Sequence, residues 1–191
     1  MMPQPFWTDQ DYRHKDFTQT PLPKGEYENC TFTGCNFSNA FLDNQNLMEC
    51  KFVDCDLTNA NIKHTIFKEC ILKDSKLVGL RFEDCNDFLL SVHFENCNLT
   101  LASFYKLPLK GTLFADCTLV ETDFTEADLT LATFAHCNME HAIFRQTVLD
   151  RADLCTSFNF NIDPAENQLK KTKFSKDNLL GLLKKYDIVV T

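Results

Sequence analysis

The stretch Leu109 to Leu154, LKGTLFADCTLVETDFTEADLTLATFAHCNMEHAIFRQTVLDRADL, carries a large apolar residue at every fifth position. These are Leu109, Phe114, Leu119, Phe124, Leu129, Phe134, Met139, Phe144, Leu149 and Leu154. Two residues before each stands a small one, Thr112, Cys117, Thr122, Ala127, Ala132, Cys137, Ala142, Thr147 or Ala152, with Leu107 the one departure. A period of five is neither the 3.6 of a helix nor the 2 of a strand, and a fixed non-helical repeat marks a solenoid. Call the large residue i. In extended chain i−2 and i point to one side and i−1 to the other, which leaves i+1 and i+2 to turn a corner. If four repeats close a coil, residues 20 apart stack at ~4.8 Å, the spacing of neighbouring strands. The sequence supports that length: Cys30, Cys50 and Cys70 recur at this interval, as do Cys97, Cys117 and Cys137, and Phe94, Phe114 and Phe134. A narrow four-sided core needs the small residue, because two bulky side chains per side would overfill it.

Working outward, the same centres run from Tyr27 to Phe82 and resume at Leu89, Phe94, Leu99 and Phe104. Phe82 and Leu89 are seven apart, so two residues are inserted within 83–88. The insertion is either a bulge that bends the coil or a contact site displaying Asp84, Asp87 and Phe88. Residues 25–156 thus form the regular shaft. Residues 1–24 read as an N-terminal cap, where Trp7, Tyr12, Phe17 and Leu22 keep the register but Pro5, Gln10 and Lys15 at i−2 are not small. Residues 157–191 form a C-terminal tail. Asp163-Pro164-Ala165-Glu166 reads as a helix start and Ser175 as a second N-cap. Leu179, Leu180, Leu182, Leu183 and Tyr186 are apolar at helical spacing, and Ile188-Val189-Val190 reads as a short strand. The tail covers the open end of the shaft. Its apolar set, Ile188 included, is either buried within the monomer or makes a two-fold dimer contact.

Composition narrows the function classes. The 191 residues suit one domain, and 27 Asp+Glu against 19 Lys+Arg give a net charge of -8. That argues against direct binding of nucleic acid or an anionic membrane and fits a cationic partner. No apolar run approaches the ~20 residues that span a bilayer, and Met1–Trp7 lacks a secretory signal, so a cytoplasmic protein is expected. Ten cysteines suggest a disulfide framework at first sight. Eight of them (Cys30, Cys35, Cys50, Cys55, Cys70, Cys97, Cys117 and Cys137) stand at i−2, where they read as small buried hydrophobes in a reducing compartment.

No catalytic, cofactor-binding or metal-ligating set emerges. Five scattered glycines make no phosphate loop. His64, His136 and His141 at i+2 and His93 at i−1 point outward while the cysteines point in, which argues against a zinc cluster. The acids concentrate in residues 25–60 and 111–153. The second block holds Asp116, Glu121, Asp123, Glu126, Asp128, Glu140, Asp150 and Asp153, none at i or i−2. All should face solvent, as an ordinary acidic surface or as a partner site.

The pattern small, polar, Leu or Phe, polar, polar resembles the pentapeptide-repeat family. That resemblance implies an all-β solenoid, a right-handed quadrilateral parallel β-helix, with a short C-terminal helical cap. The tail Ile162-Asp163-Pro164 … Leu169-Lys170-Lys171-Thr172-Lys173-Phe174-Ser175 … Gly181-Leu182-Leu183-Lys184-Lys185-Tyr186-Asp187-Ile188 is similar to that of Qnr-like quinolone-resistance members, as is Glu83-Asp84-Cys85-Asn86. Such members dimerise through their C-terminal helices, and characterised ones bind DNA gyrase or topoisomerase IV as mimics of B-form DNA. Many carry one or two long loops, where this chain has only the two-residue insertion. The resemblance therefore implies a non-enzymatic homodimer with a topoisomerase partner; the alternative is an interaction scaffold for another protein.

Overall fold

The computed structural model describes residues 5–186 and 188–189. The chain winds as a parallel β-solenoid of four-sided coils. Trp7, Tyr27, Leu47 and Phe67 start the first side, Tyr12, Phe32, Phe52 and Leu72 the second, Phe17, Phe37, Leu57 and Leu77 the third, and Leu22, Leu42, Ile62 and Phe82 the fourth. Strands occupy the first two sides. On the first, β1 (Phe6–Thr8), β3 (Glu26–Glu28), β5 (Asn46–Met48) and β7 (Ile66–Lys68) form a four-stranded sheet. On the second, β2 (Asp11–Arg13), β4 (Thr31–Thr33), β6 (Lys51–Val53), β8 (Cys70–Lys73), β9 (Val92–Glu95), β10 (Leu113–Ala115) and β11 (Thr133–Ala135) form a seven-stranded one. Register follows the interval of 20, with Tyr12 opposite Phe32 and Phe114 opposite Phe134. The third and fourth sides are joined by isolated parallel bridges such as Asp16–Asn36–Asp56–Lys76.

Every centre from Tyr27 to Leu154 is buried except Leu89. Phe94, Phe114 and Phe134 stack with ring centroids 5.0 and 4.8 Å apart, and Phe124 meets Phe114 edge-on at 5.8 Å. Each such side chain contributes about 1.5–3 kcal/mol of burial before the entropy of ordering is subtracted. The opposing cost lies at the corners. In the regular repeats position i+2 is left-handed, as at Asp54 (φ 54), Asn59 (φ 51), Glu121 (φ 55) and Leu131 (φ 63), though not at Asp84 and Ser91 beside the insertion or at Thr156. That conformation costs a residue with a Cβ roughly 1–2 kcal/mol, least for Asn and Asp. Each repeat therefore sets one strained corner against one buried large side chain, and only stacking tips the balance.

At the insertion the structure corrects the sequence register. Cys85, not Asp87, keeps the i−2 position and is buried, whereas Leu89 is 45% exposed and Leu90 packs against the core instead. The reason is the backbone. The amide of Asn86 still reaches the Thr65 carbonyl at 2.9 Å, and the next anchor is the Ser91 amide on the Phe67 carbonyl at 2.9 Å. The extra residues lie between those two bonds. Pro108, which has no amide to donate, stands on the coil that follows, over the displaced chain.

The C-terminal end also departs from expectation. Asp163–Glu166 is a turn, not a helix start. Asp163 Oδ1 accepts the Ala165 amide at 2.8 Å, and Asn167 keeps the i−2 position, donating to the Phe144 carbonyl at 3.1 Å while accepting the Thr147 amide at 2.9 Å. Coil pairing outweighs the local capping signal, and bridges continue past residue 156 through Val148–Gln168 and Asp153–Lys173. Two 3-10 segments, Lys176–Leu182 and Lys184–Tyr186, then close the shaft. Ser175 stands at the N-cap without a side-chain cap bond. The plug is Asn178, whose Nδ2 donates to the carbonyls of Leu154 and Ser157 at 2.9 and 3.0 Å. Gly181 lies flush on Phe160, where a Cβ would collide with the ring. The expected strand is not formed at Ile188 and Val189, which are exposed; Val190 lies outside the described residues.

Candidate protein-binding face

The third side and its two corners make the most uniform surface of the shaft. Its i−1 column runs Asp16, Asn36, Asp56, Lys76, Asn98, Thr118, Asn138. The Asp and Asn side chains turn back on their own chain: Asp56 Oδ1 accepts the Thr58 amide at 2.9 Å and Asn98 Oδ1 the Thr100 amide at 3.0 Å. Such short polar side chains stabilise the turn that strands provide elsewhere. The corner shared with the second side stacks His14, Gly34, Asp54, Asp74, Asn96, Asp116 and His136, with Asn96 Nδ2 donating to Asp74 Oδ1 at 2.8 Å. Gly34 is left-handed at φ 61, and the His14 ring fills the place of a Cβ. On the far corner the Glu121 amide donates to the Glu140 carbonyl at 2.9 Å, which brings those two residues together.

From Gly34 onward this side presents Asp54, Asp56, Asp74, Asp116, Glu121 and Glu140 with Lys76 as its one lysine. Among the described residues, no lysine or arginine pairs with any of these six. Of the acids expected to form a partner site, Asp116, Glu121 and Glu140 therefore sit together. The others are scattered round the shaft. Asp123 is on the fourth side and Glu126 on its far corner, Asp128 and Asp150 are on the first side, and Asp153 is on the second. Three are engaged: Glu126 with Lys106 at 3.4 Å, Asp128 with Lys110 at 3.1 Å and Asp153 with Lys173 at 3.2 Å. The Cys155 amide, then Lys173, holds the Asp153 carboxyl below the usual carboxylate range. Sequence reasoning missed Asp54, Asp56 and Asp74. Their signal was available in the interval of 20, or 22 across the insertion, that links Asp54, Asp74, Asn96 and Asp116.

The other candidates stand as follows. Asp84 is 3.6 Å from the Arg81 guanidinium, Asp87 is exposed, and Phe88 is 85% exposed. In the tail Leu182 and Leu183 are half-buried, while Leu179, Leu180, Tyr186 and Ile188 are exposed. Concave features gather at the C-terminal end. One of about 420 Å³ is lined by Glu140, His141, Ala142, Asn159, Asn161 and Lys184, a polar set without a hydroxyl or thiol nucleophile. Among the described residues no three His, Cys, Asp or Glu side chains are placed to hold a metal, and no helix is long and apolar enough to cross a membrane.

Comparison with known proteins agrees with this geometry. A model of the pentapeptide repeat region matches residues 88–181, and one of eight pentapeptide repeats matches residues 28–63 and 50–86. Among solved structures the chain is similar to HetL, a pentapeptide repeat protein involved in heterocyst differentiation regulation from the cyanobacterium Nostoc sp. strain PCC 7120. Identity is 16% over 92% of this chain and 88% of that one, with a TM-score of 0.59. It is also similar to trypsin-treated QnrB1, a plasmid-mediated fluoroquinolone resistance protein, at 19% identity over 98% of this chain and 100% of that one, with a TM-score of 0.48. No curated protein sequence matches.

Proposed function

Because the chain belongs to the pentapeptide-repeat family, we propose that it acts as a non-enzymatic protein ligand, an acidic rod that occupies the DNA-binding groove of DNA gyrase or topoisomerase IV. The observation that carries this reading is the one-sided distribution of charge. Six carboxylates against one lysine span four coil steps, about 20 Å at ~4.8 Å per step. That is one net charge per ~4 Å of shaft axis, close to the ~3.4 Å of helix axis per phosphate of one DNA strand. A groove built for a phosphate backbone meets a similar axial charge density on a rigid surface whose remaining positions are mostly Thr and Asn. The resemblance of the tail and of Glu83–Asn86 to quinolone-resistance members directs the choice of partner to type II topoisomerases.

Asp54→Asn, Asp74→Asn and Asp116→Asn together test it, because Asn tolerates the left-handed corner and should leave the fold intact. Wild type is expected to inhibit gyrase supercoiling, less so as salt rises. The triple variant should lose that inhibition along with most of the salt dependence. No effect of the wild type at micromolar concentration would end the topoisomerase reading. The exposed Leu179, Leu180, Tyr186 and Ile188 further support a homodimer through the tail. Leu180→Glu is then expected to give monomers in sedimentation velocity; a monomeric wild type at micromolar concentration would remove the dimer.

A further inference from the structure

The acid face is interrupted in its middle coil. Between Asp74 on one coil and Asp116 two coils later, the outward residues of the third side are Asn96, Asn98, Thr100 and Leu101, without a carboxylate. Leu101 stands on the far corner, 54% exposed and left-handed at φ 60. Below it the same column holds Asn39, Asn59 and Gly79, residue types that take this conformation at least cost,. Leucine puts there a strained, outward apolar side chain that adds nothing to the core. Beside it the i+1 column of the third side stacks Val78, Thr100 and Val120, all half-buried. The Thr100 hydroxyl is already engaged, donating to Asn98 Oδ1 at 2.7 Å. The carbonyls of Thr100 and Val120 accept the amides of Gly79 and Leu101 at 2.9 and 3.0 Å. The column therefore offers a partner methyl groups on a fixed backbone and little to hydrogen-bond. Over these three coils the face has two halves, an acid edge at Asp74 and Asp116 and an apolar strip of Val78, Leu101 and Val120. Asp54 and Asp56 lie one coil below the strip, and Glu121 and Glu140 close its upper end.

We propose that this strip is the apolar centre of the protein-binding face, and that the partner receives Leu101 in an apolar pocket flanked by lysine or arginine. This rests on the reading of the third side as docked on a basic groove, and it adds a contact that charge does not supply. A phosphate backbone has no counterpart to the strip, so a groove that takes this rod must offer more than cations. About half of the Leu101 side chain is still in water, and its removal favours the complex in proportion to its area. The strip is held by the shaft and needs no rearrangement to receive a partner, which lowers the cost of binding. An apolar centre inside a charged margin is the arrangement of an interface whose middle dries on association. Leu131 supplies the contrast. It shares the conformation, at φ 63, and the exposure, at 56%. It stands diagonally across the shaft, on the corner of the first and second sides, and its column continues into Arg151, away from the acid face.

Leu101→Asn and Leu131→Asn make a matched pair. Both exchange leucine for a residue that tolerates the left-handed corner, so both should melt no lower than wild type. Each is titrated, beside wild type, against purified DNA gyrase and topoisomerase IV across a salt series. Leu101→Asn should bind about fivefold or more weakly. Its salt slope should equal that of wild type, because an apolar contact releases no counterions. Leu131→Asn should bind within about twofold of wild type. If Leu101→Asn binds like wild type, or if both variants lose affinity equally, the inference falls while the acid-rod reading stands. If wild type binds neither enzyme, the topoisomerase reading falls and takes this inference with it.

Discussion

Coils before Asn86 carry strands on two sides, and coils from Ser91 to Ala135 carry them on one. The first side is a sheet through β7, and beyond the insertion it continues only as bridges from Pro108 to Asp128 and from Val148 to Gln168. The small residues change with it. Cys30, Cys50 and Cys70 follow β3, β5 and β7, whereas the same column above the insertion reads Val92, Thr112, Ala132, Ala152. The next column, behind a sheet that is never interrupted, keeps Cys35, Cys55, Ser75, Cys97, Cys117 and Cys137. Two kinds of corner explain this. After a turn-type centre the chain closes tightly, as where the Ala132 amide donates to the Leu129 carbonyl at 3.0 Å. After a strand centre no such amide bond closes the corner, and a side-chain donor takes its place. The Cys50 thiol lies 3.4 Å from both the Met48 carbonyl and the Tyr27 carbonyl of the coil before. Ser75, with a shorter arm, reaches Lys73 at 2.7 Å but Phe52 only at 3.5 Å. Behind the strands cysteine is a long-armed donor for a wide corner; Cys85, at a corner closed by its own amide on the Phe82 carbonyl at 3.0 Å, is the exception among the buried cysteines.

The largest expected effect of that difference is on alkaline stability. Burial pushes the thiols of Cys50, Cys55 and Cys97 up to about 12, from an ordinary value near 9.0. Below that ordinary value both folded and unfolded chains hold the proton, and stability does not vary with pH on this account. Above it the unfolded chain loses the proton and the folded one keeps it. Each thiol then costs about 1.4 kcal/mol of stability per pH unit until its folded value is reached. Urea midpoints should hold level to about pH 9 and fall steeply beyond, with several thiols acting in parallel. Hydrogen exchange should open first in the coils before the insertion, where two cysteine columns run side by side. Cys50→Ser with Cys55→Ser should flatten the fall. A profile level from pH 8 to 11 would mean that the thiols reach water and the corner account is wrong.

The same contrast shows how far the sequence could be read. The five-residue rule identified the core centre by centre, because burial at i and exposure at i−1 follow from one alternation. It failed at Leu89, where two apolar neighbours, Leu89 and Leu90, compete for one inward place and only the anchors at Asn86 and Ser91 decide between them. It failed again at Asp163, where a capping pattern in four residues was outweighed by the bonds of Asn167 to the coil below. The acid face was half legible. Asp116, Glu121 and Glu140 were found as a block in sequence, but a block winds round all four sides. The partners of Asp116 lie one coil interval away, at Asp74 and Asp54, not next to it in the chain.

A smaller effect divides the two corner types directly. Cys70→Ala removes a fully buried sulfur and leaves the Leu47 carbonyl without the thiol that lies 3.4 Å from it. A cost of about 1–2 kcal/mol is expected, from the lost donor and the small cavity together. Ala132→Cys makes the reverse change on the turn-type side. There the amide already occupies the carbonyl of Leu129, and Ala132 has no exposed surface into which a sulfur can expand. Overpacking by about 1 kcal/mol or more is expected, so both substitutions should lower the urea midpoint. If cysteine were merely a better filler than alanine throughout the core, Ala132→Cys would raise the midpoint while Cys70→Ala lowered it. Opposite signs would therefore break the link between strand corners and cysteine, and matching signs would tie the choice of residue to the conformation of the corner it fills.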